Sequence, residues 1–139
     1  PFEVVPGITS AIAVPAYAGI PLTHRDHAKT LILVTGHTKD GEPELNWRAL
    51  CQPGQTLVFY MGHQGLARLT ARLIEHGLPR DLPAALIENG TLPGQRTVRA
   101  PLATLAAAVA TSAGSETQWP RADSSRAVAS QASALRALR

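Results

Sequence analysis

The chain has 139 residues, 45% hydrophobic and 17% charged, enough for one ordinary domain whose core is aliphatic and Ala-rich, since aromatics make up only 4%. One cysteine, Cys51, excludes an internal disulfide framework and a zinc site built on several thiolates, and no apolar run is long enough to cross a membrane as a helix. The formal charge of +3 divides into nine basic and eight acidic residues over 1–110 and four and two over 111–139, with no basic stripe interleaved with aromatics, so nucleic acid is not an expected partner.

Residues 2–5 read as a short strand stopped by Pro6-Gly7. Thr9 or Ser10 can cap a following helix at 11–18, which carries Pro15 and should kink there, with Gly19 as its left-handed stop. Residues 29–35 (KTLILVT) form an apolar, β-rich run expected to be a buried strand. A polar turn follows at 39–43, then one or two helical turns at 44–50 that bring Leu45, Trp47 and Leu50 toward the core. Residues 56–60 are a second buried strand. Residues 65–76 give the clearest helix, with Leu66, Leu69, Leu73 and Ile74 on one face and Arg68, Arg72 and Glu75 on the other; Gly77 and Pro79 end it. A strand at 84–88 completes an expected β-α-β unit with a right-handed crossover. An edge strand at 95–99 and an Ala-rich helix at 102–109 close the pattern. From 111 the chain turns rich in Ser, Ala and Arg and is expected to be poorly ordered.

Several residues could carry chemistry. Thr9 and Ser10 lie where a turn meets a helix N-terminus, a place suited both to capping and to binding a carboxylate or a ribose hydroxyl. Met61 and Gly62 end a strand, where ligands of α/β sheets gather; a core methionine is the bland alternative. Gly90 ends the next strand, either for close backbone approach or as an ordinary Asn-Gly turn. Thr23, His24 and Arg25 form a polar loop in which Arg25 suits a carboxylate ligand or a simple ion pair with Asp26 or a glutamate. His24 and His27 are spaced i, i+3 and His37 and His63 end strands, but no third ligand joins them, so no metal is expected. No Gly-x-Ser-x-Gly element is present, and Cys51 has no evident activating partner.

Five collinear segments sharpen this reading: VPGITSAIAVPAYAGIPLTHRDHA (5–28), TGH (35–37), VFYMG (58–62), IEHGLP (74–79) and IENGT (87–91). Together they resemble the second half of tetrapyrrole methylases, with the resemblance covering residues 1 to about 110. It implies an α/β fold, the C-terminal αβα domain of that family, with a mixed sheet flanked by helices; the final apolar strand usual in the family is not recognisable in 111–139. It implies methyl transfer from S-adenosyl-L-methionine to pyrrole carbons of uroporphyrinogen III, giving precorrin-2 on the way to siroheme or cobalamin, by a cytoplasmic homodimer. Methylation of a later corrin intermediate, or an inactive remnant that only associates, are the alternatives. By the resemblance, Thr9, Ser10, Met61, Gly62 and Gly90 touch the cofactor and Thr23, His24 and Arg25 face the tetrapyrrole. Catalytic acid/base groups are expected from a preceding half, which fits a chain starting Pro1-Phe2-Glu3 without Met.

Overall fold

Two pairs of strands form the centre of the chain. The computed structural model describes residues 2–36 and 44–112. β1 (Thr30–Thr35) lies parallel to β2 (Gln55–Tyr60), with Thr30 opposite Gln55 and Thr35 opposite Tyr60. β3 (Pro83–Glu88) lies antiparallel to β4 (Arg96–Pro101), with Pro83 opposite Pro101. Proline at both outer ends of this ladder costs little, because no inner hydrogen bond is lost there.

Helices cover both faces, as an αβα arrangement requires. On one side α1 (Ser10–Tyr17) sets Ala11 against Val58, and Val14 and Ala18 against Ala85 and Ile87. On the other, α3 (Leu66–Glu75) and α4 (Leu105–Thr111) contribute Leu66, Leu73, Leu105 and Val109 to the core that holds Leu57, Phe59, Ala84 and Leu86. A short α2 (Trp47–Leu50), capped by the Asn46 side chain on the Ala49 amide at 3.1 Å, adds Leu50 to the same core.

The helix ends follow from local chemistry. Thr9 caps α1, and Gly19 (φ 64°) ends it, with Gly19 N–H on Ala16 C=O and Ile20 N–H on Pro15 C=O. Gly77 (φ 107°) ends α3 in the same way, with Leu78 N–H donating to Leu73 C=O. Trp47 lies over α3, stacked on His76 at 5.6 Å with the Arg72 guanidinium 5.4 Å from its ring. Cys51 sits half-buried beside Leu73 C=O (3.7 Å), and burial pushes its thiol above the ordinary value. This keeps it in the unreactive protonated form at neutral pH.

Three expectations are corrected. Residues 2–5 form no strand: no described strand lies beside them, and Phe2, Val4 and Val5 stay 79–93% exposed. An extended segment needs a ladder partner before it becomes a strand, and sequence cannot supply one. The 29–35 run is an outer strand rather than a buried one; only Val34 is buried and Leu33 is 46% exposed. Finally, β2, α3 and β3 do follow one another, but β2 and β3 are not hydrogen-bonded to each other. Other boundaries shift by one or two residues, except that the helix expected at 44–50 begins only at Trp47 and that Thr104 N–H on Pro101 C=O makes a turn and delays α4 to Leu105. His37, the 39–43 turn and residues 113–139 lie outside the described residues. No described helix is long and apolar enough to cross a membrane.

Candidate functional site

The carboxyl ends of β2 and β3 meet the N-terminus of α1, and the backbone there is strained. Three non-glycine residues among those described have positive φ: Met61 (57°), Asn89 (50°) and Thr91 (69°). Met61 ends β2; Asn89 and Thr91 flank Gly90 just past β3. A left-handed β-branched residue such as Thr91 is unusual and persists only where neighbours over-determine it. Here Gln95 Oε1 accepts the Thr91 amide at 2.8 Å and Leu92 N–H donates to Asn89 C=O at 3.1 Å.

Side chains tie these tips together. The Tyr60 hydroxyl hydrogen-bonds Thr9 Oγ1 at 2.5 Å, and Thr9 Oγ1 also accepts from the Ala11 amide at 3.4 Å. The capping residue of α1 is thereby anchored to the end of β2. Tyr60→Phe removes that link and is expected to cost about 1 kcal/mol in urea unfolding, the net worth of one hydrogen bond. The tip of β1 closes on the same place: Gly36 N–H donates to Tyr60 C=O at 2.8 Å, and a Cβ at Gly36 would lie 2.8 Å from that oxygen. Glu88 bridges the two strand pairs, accepting from Arg96 Nε at 2.5 Å and meeting His63 Nε2 at 3.1 Å.

The glycines differ in their reasons. At Gly90 a Cβ would fall 2.3 Å from Val14 Cγ2, so the absent side chain is what lets α1 lie against β3. Gly90 itself does not have positive φ; the unusual conformations belong to its neighbours. At Gly62 an added Cβ would make ordinary contacts, 3.6 Å to Leu69 Cδ2. Packing among the described residues does not demand a glycine there. Met61 leaves its side chain 52% exposed at this surface, which sets it apart from a core methionine.

The sequence-predicted residues thus fall into two groups. Thr9, Ser10, Met61, Gly62 and Gly90 are brought to one end of the strands. Thr23, His24 and Arg25 are not among them. Their loop precedes β1, where Lys29 N–H meets Gly54 C=O, so it lies at the amino ends. The length of β1, six residues at ~3.3 Å each, separates the two groups by roughly 20 Å. The loop is ordered by its own contacts: His24 and Ala28 form a bridge, the His24 and His27 rings stack at 4.8 Å, and Asp26 N–H donates to His24 Nδ1 at 3.2 Å. Asp26 lies nearest His24 (3.8 Å), and Arg25 is exposed with no ion pair among the described residues. No group of three potential metal ligands occurs among those residues. Tyr60, Asn89, Thr91 and the Glu88 bridge escaped the sequence reading. The only signals were FYMG and ENGT themselves, which do not reveal which neighbour is strained.

The family profile described as Tetrapyrrole (Corrin/Porphyrin) Methylases matches residues 1–106. The chain belongs to this family. Among curated relatives, siroheme synthase of Nitrosomonas eutropha is 55% identical over 105 residues, covering 76% of this chain and 22% of that protein. Siroheme synthase of Stutzerimonas stutzeri is 56% identical over 110 residues, covering 79% and 24%. The tetrapyrrole methylase chain therefore spans less than a quarter of the length of these relatives. Among solved structures, uroporphyrin-III C-methyl transferase from Thermus thermophilus complexed with S-adenyl homocysteine superposes with a TM-score of 0.67 at 30% identity, covering 99% of this chain and 50% of that one. A cobalt precorrin-4 methyltransferase gives a TM-score of 0.75 at 24% identity over 97% of this chain and 51% of that one, a likeness of fold. The αβα layering expected from sequence is the fold these family members share.

Proposed function

We propose that the strained tips of β2 and β3, with the capped start of α1, form one wall of a site for S-adenosyl-L-methionine. The site serves C-methylation of an acidic tetrapyrrole, with uroporphyrinogen III as substrate and precorrin-2 as product. The observation that carries the proposal is the clustering of Met61, Asn89 and Thr91, all left-handed, at two adjacent strand ends joined to Thr9. Strain of this kind is maintained where a ligand needs a fixed backbone. The family membership and the S-adenyl homocysteine bound in one related structure support the same reading.

The residues present fit such a group. The half-exposed Met61 side chain offers a polarizable apolar surface to a flat base. The Ser10 hydroxyl at the start of α1 is suited to a carboxylate or ribose hydroxyl, whereas the Thr9 hydroxyl is already held by Tyr60 and the Ala11, Ile12 and Ala13 amides donate to Thr9. Gly62 keeps the end of β2 free of a side chain, and Gly90, covered by Val14, lets α1 close against the end of β3. The bound cofactor supplies an electrophilic methyl on a sulfonium. An electron-rich pyrrole carbon is itself the nucleophile, so this chain's task is alignment and exclusion of water, and no acid or base is assigned to it. Thr23, His24 and Arg25 are proposed for substrate carboxylates, with the Arg25 fork suited to bidentate contact.

A second reading, an association domain without activity, is favoured by one observation. Phe2, Val4, Val5 and Ile8 are 79–93% exposed and Ile12, Tyr17, Leu33 and Met61 about half exposed, a surface that invites a protein neighbour. Equilibrium dialysis with labelled S-adenosylhomocysteine separates the two. The methylase reading expects measurable binding that Met61→Ala weakens about tenfold, a loss of ~1.4 kcal/mol. Binding indifferent to Met61→Ala, or none at millimolar ligand, leaves only association. Methyl transfer to uroporphyrinogen III on adding the separately expressed first half of a homologous methyltransferase tests the substrate.

A further inference from the structure

One charged network flanks the left-handed residues of both tips. His63 follows Met61 (φ 57°) by two positions, and Glu88 immediately precedes Asn89 (φ 50°). Glu88 Oε1 lies 3.1 Å from His63 Nε2, and Glu88 Oε2 accepts from Arg96 Nε at 2.5 Å. Arg96 stands opposite Glu88 in the β3–β4 ladder, and its guanidinium also donates to Ser112 Oγ at the end of α4, at 3.4 Å. The carboxylate is therefore fixed from β4 before it meets His63.

Stability is a poor reason for this arrangement. The Glu88 and Arg96 side chains are 26% and 22% exposed, but His63 is 51% exposed. A pair with a half-exposed member contributes little to folding, because water screens it. Its effect is geometric. A carboxylate only accepts hydrogen bonds, so His63 faces it favourably with a proton on Nε2. Left-handed backbone at a non-glycine residue persists only where its surroundings over-determine it. Thr91 has Gln95 Oε1 on its amide, and Asn89 has the Leu92 amide on its carbonyl. Met61 is held from both sides: the Gly36 amide donates to Tyr60 C=O before it, and His63 meets Glu88 after it.

We propose that Glu88 and His63 are positioning residues for the cofactor wall. Arg96 fixes Glu88, Glu88 fixes His63, and His63 holds the Met61–Gly62 turn at the spacing that the cofactor needs from the Asn89–Thr91 turn. This rests on the S-adenosyl-L-methionine reading above and extends it to two side chains beyond the wall itself. Neither is assigned a contact with cofactor or substrate; both act through the backbone they tie down. A ligand that bridges the two turns binds best when their spacing is set in advance, since less order is then lost on binding.

Equilibrium dialysis of labelled S-adenosylhomocysteine against the 139-residue chain and its variants tests this, with urea midpoints measured alongside. His63→Ala should weaken binding about fivefold while its urea midpoint moves no more than for an ordinary surface change. His63→Gln should restore most of the affinity, because a glutamine amide nitrogen can take the place of imidazole Nε2 opposite Glu88. Glu88→Gln should weaken binding too, and by less on the His63→Ala background than alone, since the two act in series. A pair serving the fold alone would move urea midpoints and leave affinity untouched. Unchanged affinity in His63→Ala, a glutamine variant no better than alanine, or strictly additive losses would each overturn the proposal. Should Glu88→Gln fail to fold, the two His63 variants decide. Absence of binding by the unaltered chain at millimolar ligand removes the cofactor reading and this proposal with it. Binding that His63→Ala leaves unchanged removes the positioning role alone.

Discussion

Gly90→Ala will destabilise the chain by about 2–3 kcal/mol, the cost of overpacking a filled contact. The new methyl would fall 2.3 Å from Val14 Cγ2 and 2.9 Å from Val14 Cβ, and a β-branched side chain on a helix has no other rotamer to retreat to. The account makes a stricter demand through the double variant. Val14→Ala alone leaves a cavity beside Ala85 and Ile87 and costs stability too. Combined with Gly90→Ala, each change fills or relieves the fault of the other, so the pair should cost clearly less than the two singles added. Urea midpoints of the four proteins give the coupling. Strict additivity would mean that α1 and the tip of β3 do not touch in this way. The effect reaches the site, because α1 carries Thr9 to Tyr60. Gly90→Ala should therefore weaken S-adenosylhomocysteine binding, and the second change should restore part of it.

Phe59→Ala is expected to cost about 3–5 kcal/mol, close to the whole stability of a small domain. Phe59 is fully buried, at 0% exposure, and packs in the core that α3 and α4 share with β2 and β3. The cluster around it is mostly leucine and valine held on separate elements, which relax only partly into the space left. Leu33→Ala on the adjacent strand is the contrast. Leu33 is 46% exposed, and its loss should stay under about 1 kcal/mol. Thermal unfolding of both variants checks the pair. Equal shifts would contradict the assignment of β1 as an outer strand.

Much of the local structure was legible. Strand and helix existence followed from apolar periodicity, and both long-helix ends followed from Gly19 and Gly77, whose φ values only glycine adopts freely. The TSA cap and the IEHGLP stop are chemistry within a few residues, so sequence states them directly. The candidate site was legible only as a set of motifs. That Thr9 touches Tyr60, fifty-one positions away, or that Gly90 is small because of Val14, are facts about elements far apart in the chain. Arg25 shows the opposite failure. It lies near Thr9 in sequence, yet an eight-residue helix and the turn after it carry it to the other end of the strands.

The residues alone determined where β1 to β4 run to within a residue or two, where α1 and α3 start and stop, and that the core is aliphatic, because backbone preference and side-chain periodicity act over a few neighbours. Pairing belongs to the tertiary structure. Among the described residues it left 2–5 without a ladder, put β1 outside and paired β2 with β1 and β3 with β4 rather than with each other, since a hydrogen-bonding edge is satisfied only by whatever strand lies beside it in space.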